Sequence, residues 1–260
     1  MGTAPFSTSS RAPRLSVSTF LTRVDGAPLD LIKLLAAAAM IAAHANVMVL
    51  GDSYPFLWSI SRISFPLFCL AVAINLSRKT SAPRYVLMLL LLAAATQPIY
   101  AISIPGIQSA NVLFTLAIGA AIAIAIRERH WAIQHAVFAV GILLTFALPT
   151  TATAGFEFGL AGMLFPAAIL LVLSGWRTYV VWLVALVLGL NWSGEFSLAE
   201  PWNSDTFDFV FAVIGSLFAL LAAITLSGRP RFLPRYFLHV LYPGHFAALA
   251  MLQLLTPGVA

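Results

Sequence analysis

Nine stretches of apolar residues, separated by short polar connections, make up most of the chain. Each stretch is about 17 to 25 residues long, which is the length that an α-helix needs to cross a bilayer. The connections carry Gly, Pro, Asn, Asp and Arg, as turns do. The stretches run approximately over residues 29–51, 55–76, 84–104, 111–127, 130–149, 156–174, 177–194, 207–227 and 235–256. This pattern predicts an all-α, polytopic bundle of about nine transmembrane helices, folded as a single domain over residues 29–256.

Composition places this bundle in a membrane. Of the 260 residues, 61% are hydrophobic and only 9% are charged, whereas globular domains carry about 25% charged residues. The single cysteine, Cys69, lies in an apolar stretch and excludes an internal disulfide and a cysteine-based metal cluster. The sequence also contains no His-x-x-x-His pair and no carboxylate-rich site, so we predict no metal. We therefore expect an integral membrane protein.

The segment before the first helix, residues 1–28, is rich in Ser, Thr and Pro and carries Arg11, Arg14 and Arg23. It has neither the apolar core nor the small-residue cleavage site of a secretory signal. We predict a flexible, basic, cytoplasmic tail. A mitochondrial transit peptide is the competing interpretation, because the tail is basic, rich in Ser and poor in acidic residues.

Positively charged residues outside the helices occur only in the tail and in alternate connections, which predicts the topology. Positive residues mark the cytoplasmic side of a membrane protein. Nine helices with a cytoplasmic N-terminus and a periplasmic C-terminus place all of them on that side. These basic residues are topology signals, so we expect no nucleic-acid partner, although basic loops could attract the phosphates of a nucleotide cofactor. They are Arg11, Arg14, Arg23, Arg78, Lys79, Arg84, Arg127, Arg129, Arg177, Arg229, Arg231 and Arg235.

The first helix carries three ionisable residues on one face. At about 100° per residue, His44 lies within roughly 40° of Asp30 and 20° of Lys33, and roughly 16 Å beyond Lys33 along the axis. Asp30 and Lys33 fit an i, i+3 pair at the cytoplasmic rim. His44 lies too far into the membrane for that interpretation, and an ionisable group at such depth is a candidate functional residue.

Other polar residues fall between mid-membrane and the outer surface in the predicted topology. They are Arg62, Asn111, Thr115, Glu157 and, near mid-depth, His245. The last stretch also carries Tyr242 and an interfacial His239. Each has a structural alternative. Arg62 could pair with Glu157 and hold two helices together, Asn111 could cap the fourth helix, and Glu157 suits the dipole at a helix start. Two histidines, an arginine and a carboxylate together provide proton transfer and anion stabilisation, which is compatible with acyl transfer.

Five segments, in order, resemble the TraX family of conjugative plasmids, the F-pilin acetylases. The segments are DLIKLLAAAAMIAAHAN, SRISFPLFCLAVAINLSRK, NVLFTLAIGAA, FGLAGMLF and RPRFLPRYFLHVLYPGHFAALAML, between about residues 30 and 252. The resemblance implies an inner-membrane enzyme that transfers acetyl from acetyl-CoA to the N-terminal amine of a pilin subunit. It matches His44 and His245 to the family's membrane histidines and Arg62 to its second-helix arginine.

On this resemblance we expect His44 to act as the general base on the pilin amine, with His245 assisting. Arg62 would stabilise the thioester oxyanion or position a carboxylate. We expect substrate-binding or supporting roles for Asp30, Lys33, Asn111, Glu157 and Tyr242. Because acetyl-CoA comes from the cytoplasm, a channel between helices is implied.

One departure from the family pattern concerns the first helix, where Ala43 stands in place of the Asp that usually precedes the histidine. An adjacent carboxylate could orient the imidazole, and Glu157, on another helix, is the candidate to substitute for it. The rival function is a non-enzymatic chaperone or assembly factor for pilin, which would need neither histidine. Another envelope acceptor is a further alternative. A transporter is third, and the missing internal repeat argues against it.

Overall fold

The structure is a computed structural model that describes residues 20–21, 23–78, 81–104, 109–147, 155–175, 177–191 and 204–255. Most of the predicted tail, together with Arg11, Arg14 and Lys79, lies outside these ranges. Within them, the regular elements are helices, and the only β-type contact is a single parallel bridge between Ala110 and Phe156. The all-α prediction is therefore confirmed for the described part of the chain.

Eleven α-helices follow one another along the described ranges. They are α1 (Ala27–Met48), α2 (Pro55–Ser61), α3 (Ser64–Arg78), α4 (Ala82–Ser103), α5 (Val112–Arg127), α6 (Trp131–Ala147), α7 (Gly159–Leu173), α8 (Val180–Leu190), α9 (Ser204–Val210), α10 (Ser216–Ile224) and α11 (Phe237–Leu255). A 3₁₀ turn leads into α8, and a π-helical turn joins α9 to α10. Each predicted apolar stretch corresponds to one of these helices or to two successive ones.

Five helical segments in the described ranges are long and apolar enough to cross a membrane. They are Ala27–Met48, Pro55–Arg78, Ala82–Ser103, Thr206–Ile224 and Phe237–Leu255. The other four apolar helices, α5 to α8, are shorter and contain 16, 17, 15 and 11 residues. The structure is thus that of a helical membrane protein, while the nine spans and the orientation of the termini stay predictions.

The second predicted span, 55–76, falls within the spanning segment Pro55–Arg78, but its α-helix is interrupted. The chain breaks between α2, which ends at Ser61, and α3, which begins at Ser64. Pro66 lies in the first turn of α3. Because proline has no backbone N–H, it cannot bond to the carbonyl four residues earlier, that of Arg62. The helix therefore restarts at this point, and Arg62 lies at the break.

Contacts at one end of the bundle join the start of α1 to the ends of α3 and α10. The Ala27 N–H donates to the Arg229 carbonyl oxygen at 3.1 Å. Arg78, the last residue of α3, donates to the Asp25 carboxylate at 2.7 Å. We call this the basic end of the bundle. It brings together residues of three separate connections that the charge pattern predicts to be cytoplasmic.

Small residues let α5 and α7 approach closely in the core. A Cβ atom on Gly119 of α5 would lie 2.8 Å from the Met163 carbonyl oxygen of α7, and one on Gly162 of α7 would lie 3.0 Å from Thr115 of α5. Close approach through glycine is a common way to pack helices in membranes. The packing fixes the segments before both helices, which include Asn111 and Glu157.

Candidate functional site

His44 and His245 face each other edge to edge inside the bundle. His44 Nδ1 lies 2.8 Å from His245 Nε2. The ring planes differ by 14° and the ring centroids are 5.1 Å apart. The rings are nearly coplanar, so the lone pair of one nitrogen points at the proton of the other, as a good hydrogen bond requires. The two residues are 201 positions apart in sequence, and the fold brings both predicted site histidines together.

The hydrogen bonds around the pair assign its protons. His245 Nδ1 lies 3.2 Å from the Leu241 carbonyl oxygen, and a carbonyl oxygen only accepts, so His245 Nδ1 carries a proton. With both rings neutral, each ring has one N–H. His245 Nε2 must then accept, and His44 Nδ1 must donate. These assignments follow from the network and leave His44 Nε2 as the nitrogen whose lone pair has no hydrogen-bond partner among the described residues.

Aromatic rings enclose the pair. Phe246 is fully buried, with its ring 4.8 Å from that of His44 and 4.0 Å from that of His245. Tyr100 meets Phe246 edge to face at 5.4 Å, and Tyr242 lies 5.6 Å from His245. Packing of this kind limits ring rotation and keeps the hydrogen bond in a poorly solvated environment, where it is stronger than in water.

Ala43 stands where the family usually has an Asp that could orient His44, and in this structure the group that contacts His44 is the His245 imidazole. Among the described residues, no carboxylate contacts His44, and its Nδ1 is occupied by His245. The Glu157 carboxylate lies near the Tyr100 hydroxyl instead. Thr115 donates to the Glu157 backbone oxygen at 2.5 Å. His245 therefore orients the His44 ring, a role that Glu157 was a candidate to fill.

Asp30 fixes how α1 and α11 lie beside each other. Asp30 is 1% exposed, and its Oδ2 accepts from the backbone N–H groups of Phe232 and Leu233, both at 3.0 Å. Phe232 and Leu233 precede α11, and His44 meets His245 further along both helices, so α1 and α11 run parallel. Lys33 Nζ lies 3.9 Å from Asp30 Oδ1. The predicted i, i+3 pair is present, and Asp30 also sets the register that brings the histidines together.

Arg62 pairs with Asp208, so the alternative pairing with Glu157 is wrong. Arg62 Nε donates to Asp208 Oδ2 at 2.8 Å, and the guanidinium lies 4.8 Å from the Trp58 ring centroid. Asp208 is buried, and its Oδ1 has no hydrogen-bond partner among the described residues. Asp208 was not among the residues named from the sequence, although an acidic residue inside the predicted span 207–227 is itself a sign of a functional or paired group. Within the described ranges, no hydrogen bond or ring contact joins Arg62 to the histidines.

Asn111 has the structural role that the sequence suggested. Its Oδ1 accepts from the Leu113 N–H at 3.0 Å and caps α5. Its Nδ2 donates to Gln97 Oε1 at 2.8 Å and to the Ala93 carbonyl oxygen at 3.0 Å. The side chain is fully buried, and its oxygen and nitrogen both bond within the protein. Asn111 therefore ties α5 to α4.

A cavity of about 770 Å³ lies between α1, α3, α4, α5 and α11. This volume is in the range of small-molecule and cofactor sites. The walls are largely apolar and include Met40, Leu92 and Leu116. Its cationic lining residues, which we call the basic mouth, are Lys33, Arg78, Arg84, Arg231 and Arg235. Tyr242, the neighbour of His245, lines the cavity as well.

The described residues bring together no group of three His, Cys, Asp or Glu side chains that could hold a metal ion.

A comparison with family models matches residues 28–253 to the family described as TraX protein. No curated protein and no solved structure matches the chain. The matched range contains every site residue named from the sequence, from Asp30 to His245.

Proposed function

Because this chain belongs to the TraX family, we propose that it is a membrane-embedded acetyltransferase of conjugative pilus biogenesis. It transfers acetyl from acetyl-CoA to the N-terminal amine of a pilin subunit in the bacterial inner membrane. The observation that carries the proposal is the hydrogen bond between His44 and His245. It provides a base at one defined atom, His44 Nε2, in a buried site, which is what attack by an amine on a thioester requires.

The reaction exchanges one bond for another at the thioester carbonyl carbon. The free amine of pilin attacks this carbon, a C–N bond forms, and the proton of the amine passes to His44 Nε2. The C–S bond then breaks, and the coenzyme A thiolate takes the proton from His44. His245 Nε2 accepts the hydrogen bond of His44 Nδ1–H throughout, so it stabilises the positive charge that forms on the His44 ring.

The other named residues have supporting roles in this proposal. Arg62 positions a carboxylate, that of Asp208, which is the second of the two roles expected from the resemblance. Asp30 holds α11 against α1, and Asn111 holds α5 against α4. Glu157 lies near Tyr100, which packs on Phe246 beneath the histidine pair.

Intact mass of pilin tests the proposal. Cells would produce the cognate pilin with the wild-type chain, with His44→Ala, with His130→Ala or with no chain. His130 is an exposed histidine outside the site, so it is the matched control. We expect an acetyl-sized mass increase with the wild type and with His130→Ala, and none in the other two samples. Membrane levels of each chain are measured in parallel.

Two other results would point elsewhere. Acetylation that survives His44→Ala at wild-type levels would reject His44 as the base while leaving the enzymatic function standing. Unacetylated pilin in every sample would reject pilin as the acceptor. If pilin abundance then depended on the chain but not on His44, the chaperone or assembly-factor function would replace the enzyme.

A further inference from the structure

The cavity between α1, α3, α4, α5 and α11 is positively charged at its basic mouth and apolar along its walls, and this distribution of charge indicates its ligand. Its basic mouth contains five cationic side chains, and no Asp or Glu is among its described lining residues. A concave surface with only positive charge attracts anions. We propose that this cavity is the binding site of the coenzyme A thioester, with the phosphates at the basic mouth and the acyl end at Tyr242. The inference rests on the proposed function and places its co-substrate.

The cations at the mouth differ in how far they are neutralised within the protein. Arg78 lies 2.7 Å and Arg231 lies 3.7 Å from the Asp25 carboxylate. No described carboxylate pairs with Arg84 or Arg235, and both side chains are exposed. Since arginine binds phosphate through two parallel hydrogen bonds, Arg84 and Arg235 are the residues that we assign to the phosphates of coenzyme A.

The length of the cavity matches the arm of coenzyme A that separates phosphate from sulfur. Arg84 and Leu92 both line the cavity and lie eight residues apart on α4, or about 12 Å along the axis. Arg78 and Phe68 both line the cavity on α3 and lie ten residues apart, or about 15 Å along the axis. The arm contains about twelve successive bonds, equivalent to about four extended residues, or about 14 Å. A thioester whose phosphates lie at the mouth therefore reaches the far end.

The far end of the cavity approaches the base. Met40 and Tyr242 line it, and they precede His44 and His245 by about one helical turn on α1 and α11. The Tyr242 side chain is 5% exposed, and its hydroxyl has no hydrogen-bond partner among the described residues. A buried hydroxyl without a partner is costly, and a thioester carbonyl oxygen would supply the missing acceptor. Tyr242 then stabilises the oxyanion that forms on amine attack.

An anionic phospholipid is the rival occupant, because it also joins a phosphate to apolar chains. The charge pattern favours coenzyme A, which carries a diphosphate and a third phosphate, whereas one lipid phosphate needs fewer cations. The test is equilibrium binding to the purified full-length chain in nanodiscs of neutral phosphatidylcholine. The probes are coenzyme A, acetyl-CoA and 3′-dephospho-coenzyme A, each measured again in nanodiscs that contain phosphatidylglycerol.

We expect saturable binding of coenzyme A to the wild type and weaker binding of the dephospho form. Arg84→Gln and Arg235→Gln should each weaken binding about tenfold or more, because each removes a charge-assisted contact. Arg84→Lys should recover part of the loss. Arg129→Gln, which removes an exposed cation outside the cavity, should bind as the wild type does. Tyr242→Phe should lower affinity for acetyl-CoA about two- to tenfold and leave that for coenzyme A unchanged.

Three results would overturn the site. The first is no binding of coenzyme A to the wild type. The second is equal affinity of the Arg84, Arg235 and Arg129 variants. The third is displacement of coenzyme A by phosphatidylglycerol at equimolar levels, which would assign the cavity to lipid. The assay contains no acceptor, so it is independent of the proposed reaction. Binding with the expected pattern but no pilin acetylation in cells would reject the reaction alone. Acetylation without binding in the cavity would reject the site alone.

Discussion

Replacing His245 tests whether it orients His44 by accepting one hydrogen bond. His245→Ala removes the acceptor of the His44 Nδ1–H. That buried N–H then has no partner, which costs about 1 to 3 kcal/mol, and the ring is free to place its proton on Nε2, where the base is needed. If this cost falls entirely on the reactive form, the rate decreases about five- to 150-fold.

His245→Gln distinguishes hydrogen bonding from proton transfer. A glutamine side chain can place its amide oxygen close to the position of the histidine Nε2, so it can accept from His44 Nδ1 but cannot take up a proton. An asparagine is shorter and does not reach. We therefore expect His245→Gln to retain more activity than His245→Asn or His245→Ala. The measurement is the initial rate of pilin N-acetylation at saturating acetyl-CoA, followed by intact mass.

Loss of packing must be separated from loss of orientation, because His245 also contacts Phe246 and Tyr242. Thermal unfolding of each purified variant reports the packing, and a merely structural role predicts that rate and melting temperature fall together. Wild-type rates for His245→Ala would refute the orienting role. Equal losses for the Gln and Asn variants, with unchanged melting temperatures, would refute the acceptor model and favour proton uptake by His245.

Three further predictions concern the contacts that build the site. Asp30→Ala should lower the free energy of unfolding by about 1 to 3 kcal/mol and reduce acetylation, because two partly buried N–H groups lose their acceptor. An unchanged chemical denaturation midpoint would contradict this. Arg62→Met and Asp208→Leu should each destabilise the protein by about 3 to 5 kcal/mol, because removing one partner of a buried pair leaves the other charge without a counter-ion. The double variant should recover most of that loss. Additive losses in the double-mutant cycle would argue against the pair. Gly26→Ala should lower the free energy of unfolding by at least about 1 kcal/mol, because Gly26 has φ 76° and a Cβ atom there would lie 2.4 Å from the Arg229 carbonyl oxygen. A melting temperature equal to that of the wild type would contradict this.

Local sequence patterns correctly predicted several structural features around the candidate site. The run of apolar residues around His44 places an ionisable group inside a helix, and both facts follow from neighbouring residues. The cap at Asn111 and the pair formed by Asp30 and Lys33 also depend only on residues within one turn. Hydropathy and helical periodicity are local properties, so one sequence is sufficient for them.

Partners across the bundle could not be predicted in the same way. The sequence suggested Glu157 as a partner for Arg62, but in the structure Arg62 pairs with Asp208, 146 positions away. In a bundle of similar apolar helices, hydropathy does not specify which faces meet, because many pairings bury comparable apolar area. Arg62 lies at the break between α2 and α3, and its counter-ion Asp208 lies on α9.

What the sequence by itself determined is the class of protein, the positions of the helices and the residues that can carry proton chemistry. Only the tertiary structure decided that His44 and His245 share a hydrogen bond, that His44 Nδ1 rather than Nε2 takes part in it, and that a cavity with a basic mouth ends beside them. The physical reason is that helix formation depends on contacts a few residues apart. The site depends on the parallel register of α1 and α11, which Asp30 fixes through backbone groups some 200 positions away.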